Sequence, residues 1–134
     1  MSVLNSELLK YVEDNPFNNH IGFELVNEKE DEILLKLWLK EELLNTNKTV
    51  HGGVHASMLD TVHSIVLRSI YQSPVAAMNL DVHYFSPANS GHLFAKAKIL
   101  QKGYKLATIE AEIVDDHQQL IAKGTGIYRI IRKA

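Results

Sequence analysis

Two adjacent glycines come directly before the longest helical pattern in the sequence. Gly52 and Gly53 precede apolar residues that recur every three or four positions. The first N–H groups of a helix have no partner inside it and lie at the positive end of its dipole. Because glycine carries no Cβ, a ligand can approach this backbone closely. The pattern therefore favours a site for a phosphate, a carboxylate or the oxygen of a polarised carbonyl.

Asp60 follows two turns later and is the only acidic residue of this helix. On spacing alone, a solvent-facing or ion-paired aspartate fits the pattern as well as a functional carboxylate does. The rest of the helix is largely apolar, however, and burial of an unpartnered carboxylate is costly. A carboxylate in such surroundings is typical of a functional site.

His51 and His55 are four residues apart, which places two imidazoles on one face of a helix. A zinc site normally needs a third protein ligand. Asp60 lies about 500° around the helix from His55 and is off that face. We therefore expect no metal. Four other histidines fall in predicted loops or on exposed strand faces and are expected to be surface residues: His20, His83, His92 and His117.

The elements that position these residues indicate one α+β domain spanning residues 1–134. The spacing predicts one long helix over 54–71, and a short N-terminal helix over 6–12 that stops before Pro16 because a residue preceding proline avoids the helical region. Strands are predicted near Phe23 and over 32–40, 78–85, 93–99, 107–113 and 120–131, with 17–22 as a loop. Short connections between successive strands favour antiparallel pairing. We expect a sheet of about five strands wrapped around the long helix.

Composition excludes several classes of function. The 134 residues are 46% hydrophobic, which suffices for one core. With 14 basic and 16 acidic residues, the net charge of −2 provides no electrostatic footprint for nucleic acid or an anionic membrane. The absence of cysteine excludes a thiolate metal site and a cysteine nucleophile. No signal peptide and no membrane-spanning stretch is recognisable, so a cytoplasmic location is expected.

The order of these motifs resembles a known family. The pattern Asn45-(five residues)-His51-Gly52-Gly53-(six residues)-Asp60 is similar to the signature of the hotdog-fold acyl-CoA thioesterases, and to the phenylacetate-pathway-type (4-hydroxybenzoyl-CoA thioesterase-like) subgroup in particular. Further similar segments lie at 78–88, Gly91, Lys102-Gly103 and 120–126, so the resemblance covers about residues 17 to 131. It implies a sheet curled around a central helix, a homodimer at minimum and often a homotetramer. It also implies active sites at the subunit interface.

The resemblance assigns roles to the motif residues. Asp60 matches the catalytic carboxylate, which activates a water or attacks the thioester directly. The backbone N–H of Gly52 or Gly53 would polarise the thioester carbonyl, Asn45 would help to hold its oxygen, and His51 would orient the loop or the water. CoA is then part of the substrate, and no cofactor is expected. The predicted substrate-binding residues are Met58, Met78, Asn79, Lys102 and Lys105, although the two lysines fit equally well as solvated charges at strand ends.

Two departures from the family pattern leave alternatives open. Relatives often carry a serine or threonine at the start of the strand after the helix, where this chain has Ala76, Ala77 and Met78. The glycine that often follows the loop asparagine is Thr46 here. A non-catalytic module that binds or senses acyl-CoA, and a hotdog enoyl-CoA hydratase, are the two alternative functions.

Overall fold

An antiparallel sheet covers one long helix in the computed structural model, which describes residues 6–26 and 32–132. The helices are α1 (Ser6–Glu13), α2 (Pro16–Ile21) and α3 (Gly52–Tyr71), with a 3₁₀ turn at Glu41–Leu43. The strands are β1 (Phe23–Val26), β2 (Leu34–Trp38), β3 (Val75–Tyr84), β4 (His92–Lys102), β5 (Leu106–Asp115) and β6 (Leu120–Ile130). They form one sheet of six strands in the order β1-β2-β4-β5-β6-β3. The α+β architecture predicted from the sequence is confirmed, and all six predicted strand segments join the sheet, which was expected to have about five strands.

The core lies between α3 and the inner face of the sheet. Helix α3 packs against strands β2 to β6. Its covered face includes Met58, Val62 and Ile65, which are fully buried. The facing strands contribute alternate residues, such as Leu35 and Leu37 of β2, as the period of two predicts. This packing fixes α3, and with it the residues at the start of the helix.

The N-terminal segment differs from the prediction. Pro16 ends the first helix as expected, but residues 16–21 form a second short helix instead of a loop. Asn15 begins α2, because its side-chain oxygen accepts the backbone N–H groups of Phe17 and Asn18. Proline is well suited to the first helical position, where its missing N–H costs nothing. The Asn-Pro pair therefore ends one helix and begins the next.

Strand β3 forms one edge of the sheet, and among the described residues it pairs only with β6. The register of this pair shifts at Met78, which is a bulge residue between Ala77 and Asn79. Before the bulge, odd-numbered residues face the same side as Tyr128 of β6, and after it even-numbered residues do so. Ten residues long, β3 presents a row of backbone groups with no partner in the sheet on its outer side, whereas the opposite edge, β1, has four residues.

No helix within the described ranges is long and apolar enough to cross a membrane.

Candidate active site at the start of helix α3

The start of α3 presents one free backbone donor. His51 is the N-cap, and its Nδ1 accepts the backbone N–H of Gly53 at 2.8 Å. The Gly53 N–H is therefore already used within the chain. The Gly52 N–H has no acceptor among the residues that the structure describes. Of the two glycines singled out in the sequence, Gly52 thus holds the donor that a ligand can reach.

Asn45 shapes the loop that leads into α3. Its Oδ1 accepts the backbone N–H groups of Asn47 and Thr49 at 2.9 and 3.2 Å, and the Thr49 hydroxyl at 3.3 Å. Because all three bonds use Oδ1, Nδ2 remains available to donate to a ligand. Asn45 and Gly52 line one cleft of about 540 Å³, whose full lining is Asn45, Thr49, Val50, Gly52, Gly53, His55, Tyr84, Phe85, Ser86 and Pro87.

His55 and Tyr84 form one wall of this cleft, which we call the glycine cleft. The Tyr84 hydroxyl donates to the Gly52 carbonyl at 3.0 Å, and the two rings lie 5.8 Å apart. His55 is buried, and its Nδ1 has no hydrogen-bond partner in the described chain. Burial lowers the pKa of His55 to about 4, so its imidazole is neutral near pH 7. The glycine cleft thus has a buried, unpartnered imidazole nitrogen beside the helix N-terminus.

Asp60 lies in a different cleft, formed where α1 and α2 cover α3. This carboxylate cleft has a volume of about 260 Å³ and is lined by Tyr11, Asn15, Phe17, Asn18, Ser57, Asp60, Thr61 and Ser64. The Asp60 side chain is held by Tyr128 of β6, whose hydroxyl donates to Oδ1 at 2.7 Å. Burial and the adjacent Asp60 raise the pKa of Tyr128 well above its usual value, so the hydroxyl keeps its proton.

His63 is a site neighbour that the sequence analysis missed. It is fully buried, and its Nδ1 lies 3.1 Å from the Tyr128 hydroxyl oxygen. Burial lowers the pKa of His63 to about 4, although the nearby Gly124 carbonyl opposes this shift. The available signal was the position of His63 within the three-and-four spacing of buried α3 residues, which implied burial.

The two clefts of one protomer share no lining residue. Asp60 lies eight residues after Gly52, which is about 12 Å along the helix axis. Four of the predicted catalytic residues, Asn45, His51, Gly52 and Gly53, meet at the start of α3. The fifth, Asp60, does not join them within one chain.

The predicted substrate-binding residues are scattered. Met58 is fully buried in the core and lines neither cleft. Met78 and Asn79 lie exposed on the β3 edge. Lys102 lies at the other end of α3, with its Nζ 5.5 Å from the Tyr71 ring centroid. Lys105 lines a third cleft, with Tyr104, Leu106, Arg129, Ile130 and Arg132.

No group of three or more acidic and histidine side chains in the described part of the chain is arranged to hold a metal ion. The two histidines at metal-like spacing have separate surroundings. His51 is exposed and caps α3, whereas His55 lies within α3 and is buried.

Comparison with known proteins places the chain in a family. The sequence pattern of the Thioesterase superfamily matches residues 47–122. A Halobacterium salinarum protein named "Putative esterase" is 30% identical over 135 residues, which cover 91% of this chain and 89% of that protein. The Mus musculus protein named acyl-coenzyme A thioesterase 13 is 26% identical, over 75% of this chain and 74% of that one.

The fold is also shared with solved structures. The PaaI protein from the phenylacetic acid degradation operon of Escherichia coli superposes with a TM-score of 0.83 and 21% identity, covering 96% of this chain and 97% of that one. An identity this low shows a common fold and nothing finer. The sheet around α3 is therefore the hotdog fold. Since the family pattern matches more than half of the residues, the chain belongs to the thioesterase superfamily.

Proposed function

We propose that this protein is an acyl-CoA thioesterase, which hydrolyses an acyl-CoA to a free acid and CoA. The observation that carries the proposal is the unused Gly52 N–H at the positive end of α3, beside the Asn45 amide in an open cleft. Such a pair of donors suits a carbonyl oxygen that gains negative charge during reaction, and one such donor is typically worth about 3 kcal/mol in the transition state. The name of the mouse relative supports the acyl-CoA class of substrate.

We further propose that the working unit is a homodimer with composite sites. Gly52 and Asp60 line separate clefts in one protomer, so a single thioester cannot reach both there. The long, unpaired β3 edge exposes Met78, Tyr84 and Phe85, which suits pairing with a second copy. Antiparallel pairing of two β3 strands would bring the Tyr84 end of one strand toward the Val75 end of the other. Asp60 would then act on a thioester held by the partner's Gly52.

The proposed reaction needs only a carboxylate and a water. Asp60 takes a proton from the water while the water oxygen bonds to the thioester carbon. The carbonyl oxygen becomes an oxyanion that accepts hydrogen bonds from the Gly52 N–H and from Asn45 Nδ2. Collapse of this intermediate breaks the C–S bond, and the sulfur takes the proton back from Asp60. In the alternative course, the Asp60 carboxylate attacks the carbon and expels the CoA thiolate, which leaves a mixed anhydride. Water then attacks the Asp60 carboxyl carbon of the anhydride, which releases the free acid, and the thiolate takes a proton from that water. A single turnover in ¹⁸O-labelled water separates the two courses, because label enters the Asp60 carboxylate in this course and enters the free acid in the other.

The same antiparallel arrangement gives a role to the third cleft, which Lys105 lines. Lys105, Arg129 and Arg132 lie at the Val75 end of β3, where Val75 pairs with Ile130. In the proposed dimer this end approaches the glycine cleft of the partner. The third cleft of one protomer would then hold phosphate groups of a CoA whose thioester lies in the glycine cleft of the partner. Lys102 lies at the same end of the molecule.

The second candidate is a module that binds acyl-CoA without hydrolysing it. Ala76, Ala77 and Met78 supply no hydroxyl at the position where many relatives have one, and this favours the candidate. Thiol release from a panel of short, medium, long and aryl acyl-CoAs distinguishes the two functions. Aryl substrates belong in the panel because the motif resembles that of the phenylacetate-pathway-type subgroup. Binding without release would favour the module.

A mixing experiment tests the composite site. Asp60→Asn and Gly52→Val are each expected to lower kcat by on the order of 10²-fold or more. A heterodimer of the two variants contains one site with both residues intact. Mixing after unfolding and refolding should therefore restore about a quarter of the wild-type activity. If each site lay within one chain, the mixture would stay inactive.

A further inference from the structure

Three polar side chains from two elements form a hydrogen-bonded chain that ends at Asp60. The Tyr128 hydroxyl lies 2.7 Å from Asp60 Oδ1 and 3.1 Å from His63 Nδ1. Tyr128 and His63 are both fully buried, and their rings meet edge to face at 5.6 Å. Asp60 alone of the three lines a cleft, so the chain leads from the core to the carboxylate.

The chemistry of the three groups fixes the direction of the hydrogen bonds. An ionised carboxylate only accepts, so the single Tyr128 proton is donated to Asp60. His63 Nδ1 faces the lone pairs of the Tyr128 oxygen at 3.1 Å, so a proton on Nδ1 makes this contact a hydrogen bond. His63 Nε2 is left as a bare acceptor, in agreement with its having no hydrogen-bond partner in the described chain. In the other tautomer, His63 Nδ1 and the Tyr128 oxygen would face each other at 3.1 Å with no proton between them, because the Tyr128 proton is donated to Asp60.

The space for this chain is provided by a glycine. A Cβ on Gly126 would lie 2.6 Å from Tyr128 Cε1 and 3.1 Å from His63 Nδ1. Any larger residue at 126 would push the tyrosine and the histidine out of place. The β6 backbone therefore accommodates the pair specifically.

We propose that Tyr128 and His63 are positioning residues for Asp60 in the thioesterase reaction, holding Oδ1 so that Oδ2 faces the water. The inference rests on the proposed function and adds two residues to it. No hydrogen bond to Oδ2 forms among the described residues. With Oδ1 fixed from behind, the carboxylate has one rotamer and one free oxygen for the proton. Such alignment acts on the chemical step and leaves the affinity for substrate largely unchanged.

The surroundings of the chain contain few other charges. Tyr11 of α1 lines the carboxylate cleft together with Asp60. The Arg68 guanidinium lies 4.1 Å from the centroid of the Tyr11 ring. From α3, Ser64 contacts Tyr128 with a neutral hydroxyl. Asp60, His63, Tyr128, Tyr11 and Arg68 are thus the titratable or charged groups to consider in a pH profile of the variants.

The kinetic test uses Tyr128→Phe, which keeps the ring and removes only the hydroxyl. We expect kcat to fall by 10- to 100-fold, with KM within about twofold of wild type. Tyr71→Phe is the matched control, because it removes a comparable hydrogen bond, 2.6 Å long, to the Gly103 carbonyl at the opposite end of α3. If Tyr128 acts through Asp60, Tyr128→Phe has no further effect in an Asp60→Asn background. Equal losses in the two tyrosine variants, or full additivity, would overturn the proposal.

A rescue test addresses His63. The Asn side chain places an N–H donor near the position of His63 Nδ1, whereas Leu has a similar bulk and no donor. We expect His63→Asn to keep several-fold more kcat than His63→Leu. Similar values for the two variants, in proteins shown to be folded by circular dichroism, would count against a role for the Nδ1 donor.

A measurement without substrate separates failure of this inference from failure of the proposed function. In ¹⁵N-labelled protein at pH 7, His63 should show the neutral Nδ1–H tautomer, and Tyr128→Phe should change that signal. If the wild type releases no thiol but shows this tautomer, the thioesterase proposal fails and the hydrogen-bond chain is supported by itself. The Nε2–H tautomer would overturn the chain whatever the activity.

Discussion

The side chain of His51 accepts the backbone N–H of Gly53 at 2.8 Å, and this bond separates two glycines that look equivalent in the sequence. It satisfies one of the N–H groups that a helix leaves unpaired at its start. The neighbouring Gly52 N–H is left for a ligand. His51 therefore both begins α3 and determines which amide can act as a donor.

Removal of this cap should cost stability. We expect His51→Ala to lower the free energy of unfolding by about 1 kcal/mol, as is typical for loss of an N-cap. His51→Asn should recover most of that loss, because an asparagine oxygen caps helices well. Urea denaturation of the three proteins measures the effect. Equal stabilities for the alanine and asparagine variants would show that the cap contributes little.

Substitution at Gly52 should separate function from folding. A Cβ at this position would lie 3.3 Å from the Tyr84 hydroxyl oxygen, at the wall of the glycine cleft. Alanine is a better helix former than glycine, so Gly52→Ala should be about as stable as wild type. We expect its kcat/KM for thiol release to fall by at least about 10-fold, because the methyl group obstructs the approach to the N–H.

Tyr84→Phe provides the control for that prediction, because it removes the hydroxyl that the new methyl group would meet. If Gly52→Ala remains impaired in the Tyr84→Phe background, obstruction of the ligand is the cause. Recovery of activity in the double variant would instead assign the loss to the contact with Tyr84.

Two buried histidines should make the protein less stable in mild acid. Burial lowers the pKa of His55 and His63 from 6.5 to about 4. Between these values the unfolded chain binds protons that the folded chain excludes. The free energy of unfolding therefore falls as the pH drops from about 6.5 to about 4, and these groups add no pH dependence above that window. Each contributes on the order of 3 kcal/mol to the fall.

Denaturation between pH 7.5 and pH 4 tests this prediction. His55→Gln should lose less stability across the window than wild type does. His117→Gln, in an exposed turn, is the matched control and should follow the wild-type curve. Parallel curves for wild type and His55→Gln would contradict the assignment.

The β3 edge should control assembly. Met78 is 62% exposed on this edge, and we expect Met78→Asp to convert the proposed dimer into monomers because it places a charge in the strand pair. The matched control is Leu100→Asp, since Leu100 is 50% exposed on β4, away from the β3 edge. Light scattering coupled to gel filtration gives the masses, and thiol release should disappear with the dimer. An active Met78→Asp monomer would refute the composite site.

The sequence predicted the parts of this molecule that depend on local pattern. The three-and-four spacing of α3 and the alternation in the strands are set by which side chains must be buried, and both are visible within short windows. Asn15 and Pro16 carried the signal for the start of α2, but the pair was interpreted only as the end of α1. Neighbouring residues decide such features, so a close inspection of the sequence can find them.

Contacts between residues far apart in the sequence could not be predicted from local patterns. Tyr128 meets Asp60 and His63 across 68 and 65 residues of sequence, through the register of β6 against α3. No periodicity in either segment indicates these contacts. Met58 shows the same limit, because it was predicted to bind substrate whereas the structure places its side chain in the core. The side of a helix that faces the sheet depends on packing of the whole domain.

The bulge in β3 also limits how the length of the chain can vary. Because Met78 has no residue opposite it on β6, its deletion would leave every other β3 residue on its present side of the sheet. Deletion of any other residue of the strand would move a run of side chains from one face to the other. Among relatives, single-residue length differences in β3 should therefore concentrate at position 78.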